Sequence, residues 1–73
     1  MMRDTAIAAL LQQRFFTPDG LRREAAGVLL GLCGARTSDA EIVAAFARTA
    51  ATMSPELARE VRTVAAESGI VLT

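Results

Sequence analysis

A series of helix-start and helix-stop signals divides the 73 residues of this chain into four helix-length segments. Each signal combines a small polar residue that can cap a helix with proline, glycine or an acidic residue nearby. The signals are Thr17-Pro18-Asp19-Gly20, Ser38-Asp39-Ala40-Glu41, Ser54-Pro55-Glu56 and Ser68-Gly69-Ile70. No segment alternates between apolar and polar residues as a half-buried strand would. The sequence therefore predicts an all-α fold, a compact bundle of four short helices at about 4–16, 18–33, 39–53 and 55–68, in a single domain over 1–73.

Three of these signals predict specific capping geometries. Ser38 and Glu41 have the spacing of a capping box, in which each side chain accepts a hydrogen bond from a backbone N–H of the other residue. Thr17 precedes a proline and is expected to cap the second helix. Gly69 and Ile70 are typical of a Schellman turn, in which a left-handed glycine is followed by an apolar residue that folds back onto the helix.

Apolar residues recur at helical spacing in each segment, so each helix is expected to bury one stripe. The predicted stripes are Ile7, Leu10, Leu11 and Phe15 in the first helix, Leu21, Ala25, Val28, Leu29 and Leu32 in the second, Ile42, Ala45, Phe46, Ala50 and Met53 in the third, and Leu57, Val61, Val64 and Ala65 in the fourth. Cys33 continues the apolar run of the second helix, and we expect it to be a small buried hydrophobe.

The composition argues against an enzyme. The chain has one cysteine and no histidine, so it can build neither an internal disulfide nor an ordinary Cys/His zinc site. Any general base would have to be a carboxylate, and the eight acidic residues fall mostly in first helical turns and on polar faces. We therefore expect a non-enzymatic protein with no catalytic residue, no metal, no cofactor and no small-molecule substrate.

Small residues recur every four positions on the predicted second helix, at Gly27, Gly31 and Ala35. A glycine inside a helix costs roughly 0.8–1 kcal/mol relative to alanine, so two of them need a packing reason. Small residues at this spacing allow a second helix to approach closely. The sequence leaves open whether that second helix belongs to the same chain or to another one.

Apolar residues exceed what the four stripes can bury. They make up 52% of the chain, and both Phe16 and Leu30 lie off the predicted stripes. Large exposed apolar patches mark interaction surfaces. We therefore predict a protein–protein interaction module that acts as an adaptor, regulator or inhibitor by binding a partner protein or a second copy of itself. The predicted interface consists of Phe16, Gly27, Leu30, Gly31 and Ala35.

Two other functions are open. One is a small dimeric helix-turn-helix-type DNA-binding regulator or antitoxin-like protein that uses Arg48, Arg59 or Arg62. Its weakness is the formal net charge of zero, because affinity for phosphates comes from clustered cations; nucleic acid is therefore not the expected partner. The other alternative is a structural subunit of a larger assembly, which differs from the predicted interaction module only in the size of the oligomer.

The sequence also bears on location and origin. The longest uncharged apolar stretch runs over 11 residues from Ala25 to Ala35, whereas a membrane span needs roughly 20. The N-terminal apolar segment is too short for a convincing signal peptide. We expect a cytoplasmic protein with no membrane partner. A composition rich in Ala and Arg without Lys is typical of a GC-rich genome and indicates a bacterial or phage origin.

Overall fold

The computed structural model describes residues 2–34 and 38–72. Within these ranges the chain forms four α-helices and no strand, which confirms the predicted all-α bundle. The helices are α1 (Met2–Phe16), α2 (Gly20–Gly34), α3 (Asp39–Ala50) and α4 (Pro55–Glu67). Each helix begins and ends within three residues of the bounds predicted from the capping signals.

The caps of α3 and α4 follow the sequence signals. The backbone N–H of Glu41 donates to Ser38 Oγ at 3.3 Å, and the backbone N–H of Leu57 donates to Ser54 Oγ at 3.1 Å. Pro55 is the first residue of α4, where its missing N–H leaves no intrahelical bond unmade. These local bonds fix where both helices start.

The cap of α2 differs from the prediction. Asp19, rather than Thr17, accepts from the first turn: its Oδ1 lies 3.0 Å from the backbone nitrogen of Leu21 and 3.4 Å from that of Arg22. Thr17 Oγ1 accepts instead from the backbone N–H of Asp19. The carboxylate is a charged acceptor at the positive end of the helix dipole. The helix therefore starts at Gly20, two residues later than the proline suggested.

The turn after α4 has the predicted Schellman geometry. Gly69 has a φ of 86°, which glycine adopts without the steric cost that other residues carry. Its N–H donates to the carbonyl of Ala66, and the N–H of Ile70 donates to the carbonyl of Ala65 at 2.8 Å. The side chains of Ile70 and Leu72 are buried, so the tail that follows α4 contributes to the core.

The central helix of the fold is α2, which packs most extensively against α1 and α4 and also contacts α3. All four helices and the tail contribute buried apolar side chains, and no polar or charged side chain is buried within the described residues. The largest fully buried side chains are Phe46, Leu10, Leu29, Ile42, Val61 and Val64. Cys33 is buried, as expected.

The buried stripe of α1 differs from the prediction. Ala6 and Leu10 are buried, whereas Leu11 and Phe15 are exposed. Residues spaced four apart advance by 400° on the helix, so a stripe at that spacing drifts by about 40° per step. Because α1 packs mainly on α2, only a narrow strip of it is covered. The drift carries Leu11 and Phe15 out of that strip and into solvent.

Candidate protein-binding surface

The solvent-facing side of α1 is unusual in carrying almost no charge. From Thr5 to Phe16, the only charged exposed side chain is that of Arg14. Exposed helix faces of globular proteins are normally rich in charged residues. The uncharged exposed side chains form what we call the outer face of α1: Thr5, Ala8, Ala9, Leu11, Gln12, Phe15 and Phe16.

Two phenylalanine rings dominate this face. Phe15 is 66% exposed and Phe16 is 76% exposed, while Leu11 beside them is 42% exposed. Among the described residues, one other large apolar side chain is exposed, that of Val71 in the tail. Aromatic residues are enriched at the centres of protein–protein interfaces, so two adjacent exposed rings are typical of a binding surface. The concentration of three such side chains on one helix face makes it the strongest candidate binding surface.

Packing of α1 against α2 fixes which way this face points. Leu10 is fully buried on the opposite side of the helix. Gln13, also on the inner side, accepts a hydrogen bond at its Oε1 from Arg22 Nε of α2 at 3.3 Å. With these inner residues held by α2, the helical geometry directs Phe15 and Phe16 outward.

The glycine at position 27 has a packing partner within the chain. A Cβ placed on Gly27 would lie 3.1 Å from Arg14 Nε and 3.3 Å from Arg14 Cδ. The guanidinium carbon of Arg14 also lies 5.7 Å from the centroid of the Phe15 ring, within the range of a cation–π contact. Gly27 therefore makes room for the Arg14 side chain, which extends from α1 across α2 at the edge of the outer face.

The remaining residues of the predicted interface occupy different environments. Phe16 belongs to the outer face of α1. Leu30 is half-buried and packs against the core, so α2 presents little of it to a partner. Gly31 is exposed, and a Cβ there would meet no atom within 4 Å. Ala35 lies outside the described residues.

Leu11 and Phe15 are the candidate binding residues that the sequence reasoning assigned to the core. Their spacing matched a helical stripe, and large apolar residues are usually buried. The absence of charge on the outer face of α1 was the signal that could have identified them. If Leu11 and Phe15 had been buried, the exposed side of α1 would still have lacked the charged residues that a solvated helix normally carries.

The three arginines of the DNA-binding alternative, Arg48, Arg59 and Arg62, are all exposed. Arg48 lies on α3 and the other two lie on α4. The guanidinium carbon of Arg62 lies 5.1 Å from the centroid of the Phe46 ring, so this side chain covers a core aromatic residue. Its aliphatic stem and its charge both have a structural use there.

A cluster of polar side chains connects three helices on another side of the molecule. Arg22 of α2 pairs with Glu60 at 3.3 Å and with Glu67, both on α4. The hydrogen bond that Arg22 donates to the Glu67 carboxylate, aided by the charges of both glutamates, raises the pKa of Arg22. Since Gln13 of α1 also accepts from this guanidinium, the cluster holds α1, α2 and α4 together, and its groups are occupied with one another.

Other kinds of site and other known proteins give no further assignment. Within the described ranges, no group of three or more His, Cys, Asp or Glu side chains could hold a metal ion. No helix in the same ranges is long and apolar enough to cross a membrane. No protein-family model, curated protein or solved structure matches this chain.

Proposed function

We propose that this chain is a small non-enzymatic interaction module that works as an adaptor, regulator or inhibitor by binding protein through the outer face of α1. The observation that carries the proposal is the pair of exposed rings, Phe15 and Phe16, on a helix face that carries no charge from Thr5 to Phe16. Transfer of apolar area out of water stabilises a complex by roughly 25 cal/mol per Å². Covering these rings is therefore the largest free-energy gain that the described surface offers to a partner.

The way α1 is held supports this proposal. Its inner side is anchored by the fully buried Leu10 and by the hydrogen bond between Gln13 and Arg22. The rings are consequently displayed from a helix that is already ordered before binding. A preorganised surface loses less conformational entropy on association than a disordered segment does.

A structural role in a larger assembly would use the same face. The two functions differ in the size of the complex, because an assembly subunit forms a closed ring or an extending filament through repeated contacts. Light scattering on the complex distinguishes them. A mass corresponding to one partner supports the interaction module, and a high-order oligomer supports the structural subunit.

Photo-crosslinking in cells that express the chain tests the proposal. A benzophenone-bearing amino acid replaces Phe15 in one variant and Val71 in the matched control. Both positions hold an exposed apolar side chain, 66% and 72% exposed, but only Phe15 lies on the outer face of α1. We expect a discrete protein adduct from position 15 and none from position 71. No adduct at position 15, or equal adducts at both positions, would overturn the proposal.

A further inference from the structure

We infer that the partner of the outer face of α1 is a second copy of this chain, with the two α1 helices antiparallel about a two-fold axis that passes close to Gln12. This inference rests on the proposed function, since it takes the outer face as a protein-binding surface. It adds the identity of the partner and the register of the contact.

The first argument is the distribution of side-chain size along the face. The small residues Ala8 and Ala9 lie in its N-terminal half, and the large residues Phe15 and Phe16 lie in its C-terminal half. A two-fold axis at Gln12 places Phe16 opposite Ala8 of the second copy and Phe15 opposite Ala9 of the second copy. Rings then fill the space left by small side chains, as close packing requires. A parallel pair would set rings against rings and leave a gap between the alanines.

The second argument is the single amide at the centre of the face. Ala8, Gln12 and Phe16 form one stripe at four-residue spacing, so Gln12 lies midway between the small and the large end. At the two-fold axis it meets Gln12 of the second copy. A glutamine amide carries both donors and an acceptor, so the amides of the two copies can form hydrogen bonds with each other. A purely apolar partner would leave this amide buried without a hydrogen bond, which costs about 1–3 kcal/mol.

The third argument is charge. Partners of different sequence are usually selected by complementary charges across the interface, and the outer face of α1 offers none. Among the α1 side chains that the structure describes, the one charged group is Arg14, which lies over Gly27 at the edge of the face. The chain as a whole has a formal net charge of zero, so two copies approach without long-range repulsion.

The exposed area limits the size of the dimer interface. A phenylalanine side chain can bury about 150–250 Å², so the exposed fractions of Phe15 and Phe16 give each copy on the order of 250 Å² of ring surface to cover. Even with the flanking residues, a contact of two copies lies at or below the small end of the range for specific interfaces, about 1,200 Å² in total. Because interfaces of that size are typically weak or transient, we expect a dimer whose population depends on concentration.

Cysteine trapping tests the register. The variants Gln12→Cys and Ala8→Cys are prepared separately in a Cys33→Ala background, and circular dichroism checks that helix content is retained. A disulfide needs Cα atoms within about 7 Å of each other. Position 12 of one chain faces position 12 of the second chain, so mild oxidation should convert most of the Gln12→Cys variant to a covalent dimer. Position 8 of one chain lies level with position 16 of the second chain, so the two copies of position 8 are eight residues apart, about 12 Å along the helix. Ala8→Cys should therefore form no covalent dimer.

Other outcomes would overturn the inference. Efficient trapping of Ala8→Cys would indicate a parallel or non-specific contact, and failure of Gln12→Cys to form a dimer would exclude the proposed axis. Sedimentation of the unmodified chain gives an independent check, since its mass should rise toward that of a dimer as concentration increases. A chain that stays monomeric while Phe15 crosslinks to a different protein contradicts the second copy and leaves the proposed function standing. A monomeric chain with no crosslink at Phe15 contradicts both the inferred dimer and the proposed function.

Discussion

Arg22, near the start of α2, forms an ion pair with Glu67, the last residue of α4. The same guanidinium reaches Glu60 on α4 and Gln13 on α1. From α2, this one side chain thus makes polar contacts with both α1 and α4. The hydrogen bond with Gln13, together with the buried Leu10, holds the rotation of α1 on α2 and so the direction in which the outer face of α1 points.

Replacing Arg22 by methionine should lower the free energy of unfolding by about 1 kcal/mol, because partly exposed ion pairs contribute about that much. Urea denaturation measures the change. Arg23→Met is the matched control, since its exposed side chain lies one residue along the same helix. Equal losses for the two variants would show that the contacts of Arg22 with α4 do not matter for stability.

The contribution of Arg22 should not depend on pH near neutrality. Glu67 first, and then Glu60, raise the pKa of Arg22 in the folded chain. A raised pKa stabilises the fold fully at every pH below the unfolded-state value, and this stabilisation is lost only as the pH rises through the folded-state value. Both values lie in strongly alkaline solution. Urea denaturation of Arg22→Met and the parent chain should therefore show the same difference at pH values slightly below and slightly above neutrality, and a difference that changes would contradict the assignment.

The orientation of α1 is tested by two neighbouring leucines. Leu10 is fully buried, whereas Leu11 is 42% exposed. Truncating a buried leucine to alanine costs about 2–5 kcal/mol, and a domain of this size rarely has more than about 3–5 kcal/mol to lose. Leu10→Ala should therefore be largely unfolded, and Leu11→Ala should unfold close to the parent midpoint. Thermal melting at low protein concentration distinguishes them, and a loss for Leu11→Ala as large as that for Leu10→Ala would place Leu11 in the core, as its spacing first suggested.

The two interior glycines of α2 should respond differently to alanine. Gly31→Ala places a methyl group in open space and should stabilise the helix by up to about 1 kcal/mol, raising the melting temperature by about 4–8 °C. Gly27→Ala should give a smaller gain, because Arg14 must move away from the new methyl group. Thermal melting of both variants measures this. A larger gain at position 27 would contradict the contact between Arg14 and Gly27.

A side chain at position 69 should destabilise the turn after α4. The positive φ of Gly69 places alanine in a conformation that costs about 1–2 kcal/mol, so Gly69→Ala should lower stability by that amount. Gly34→Ala is the control, because that glycine has no positive φ and no atom of the described residues comes within 4 Å of its Cβ position. Urea denaturation should show a loss for Gly69→Ala and no loss for Gly34→Ala. Equal stability of the two variants would exclude a left-handed requirement at Gly69.

Local signals in the sequence were enough to predict the fold class, three of the capping arrangements and most of the core. Ser38, Ser54 and Gly69 act through bonds to residues only a few positions away, so no knowledge of the tertiary structure was needed. The cap of α2 was harder, since Thr17 and Asp19 both have oxygen atoms that can accept from nearby N–H groups. Only the geometry of the turn decides between them.

The candidate binding surface was harder to predict from the sequence than the fold. Periodicity identifies an apolar stripe but not how much of it a neighbouring helix covers, and α1 packs mainly on α2 alone. Phe16 was recognised because it lies off the stripe, while Phe15 was assigned to the core because it lies on it. The role of Gly27 depends on the long side chain of Arg14 crossing from another helix. Such a contact between distant residues leaves no periodic signal.

The central claim is that two copies of this chain associate through the exposed rings of α1, and light scattering over a concentration series tests it most directly. The parent chain is compared with Phe15→Glu and with Val71→Glu, which introduces the same charge at a similarly exposed apolar position outside α1. Both positions are exposed, so circular dichroism should show parent-like helix content in each variant. We expect the mass of the parent and of Val71→Glu to rise with concentration while Phe15→Glu remains a monomer. Association of Phe15→Glu as strong as that of the parent chain would contradict the account.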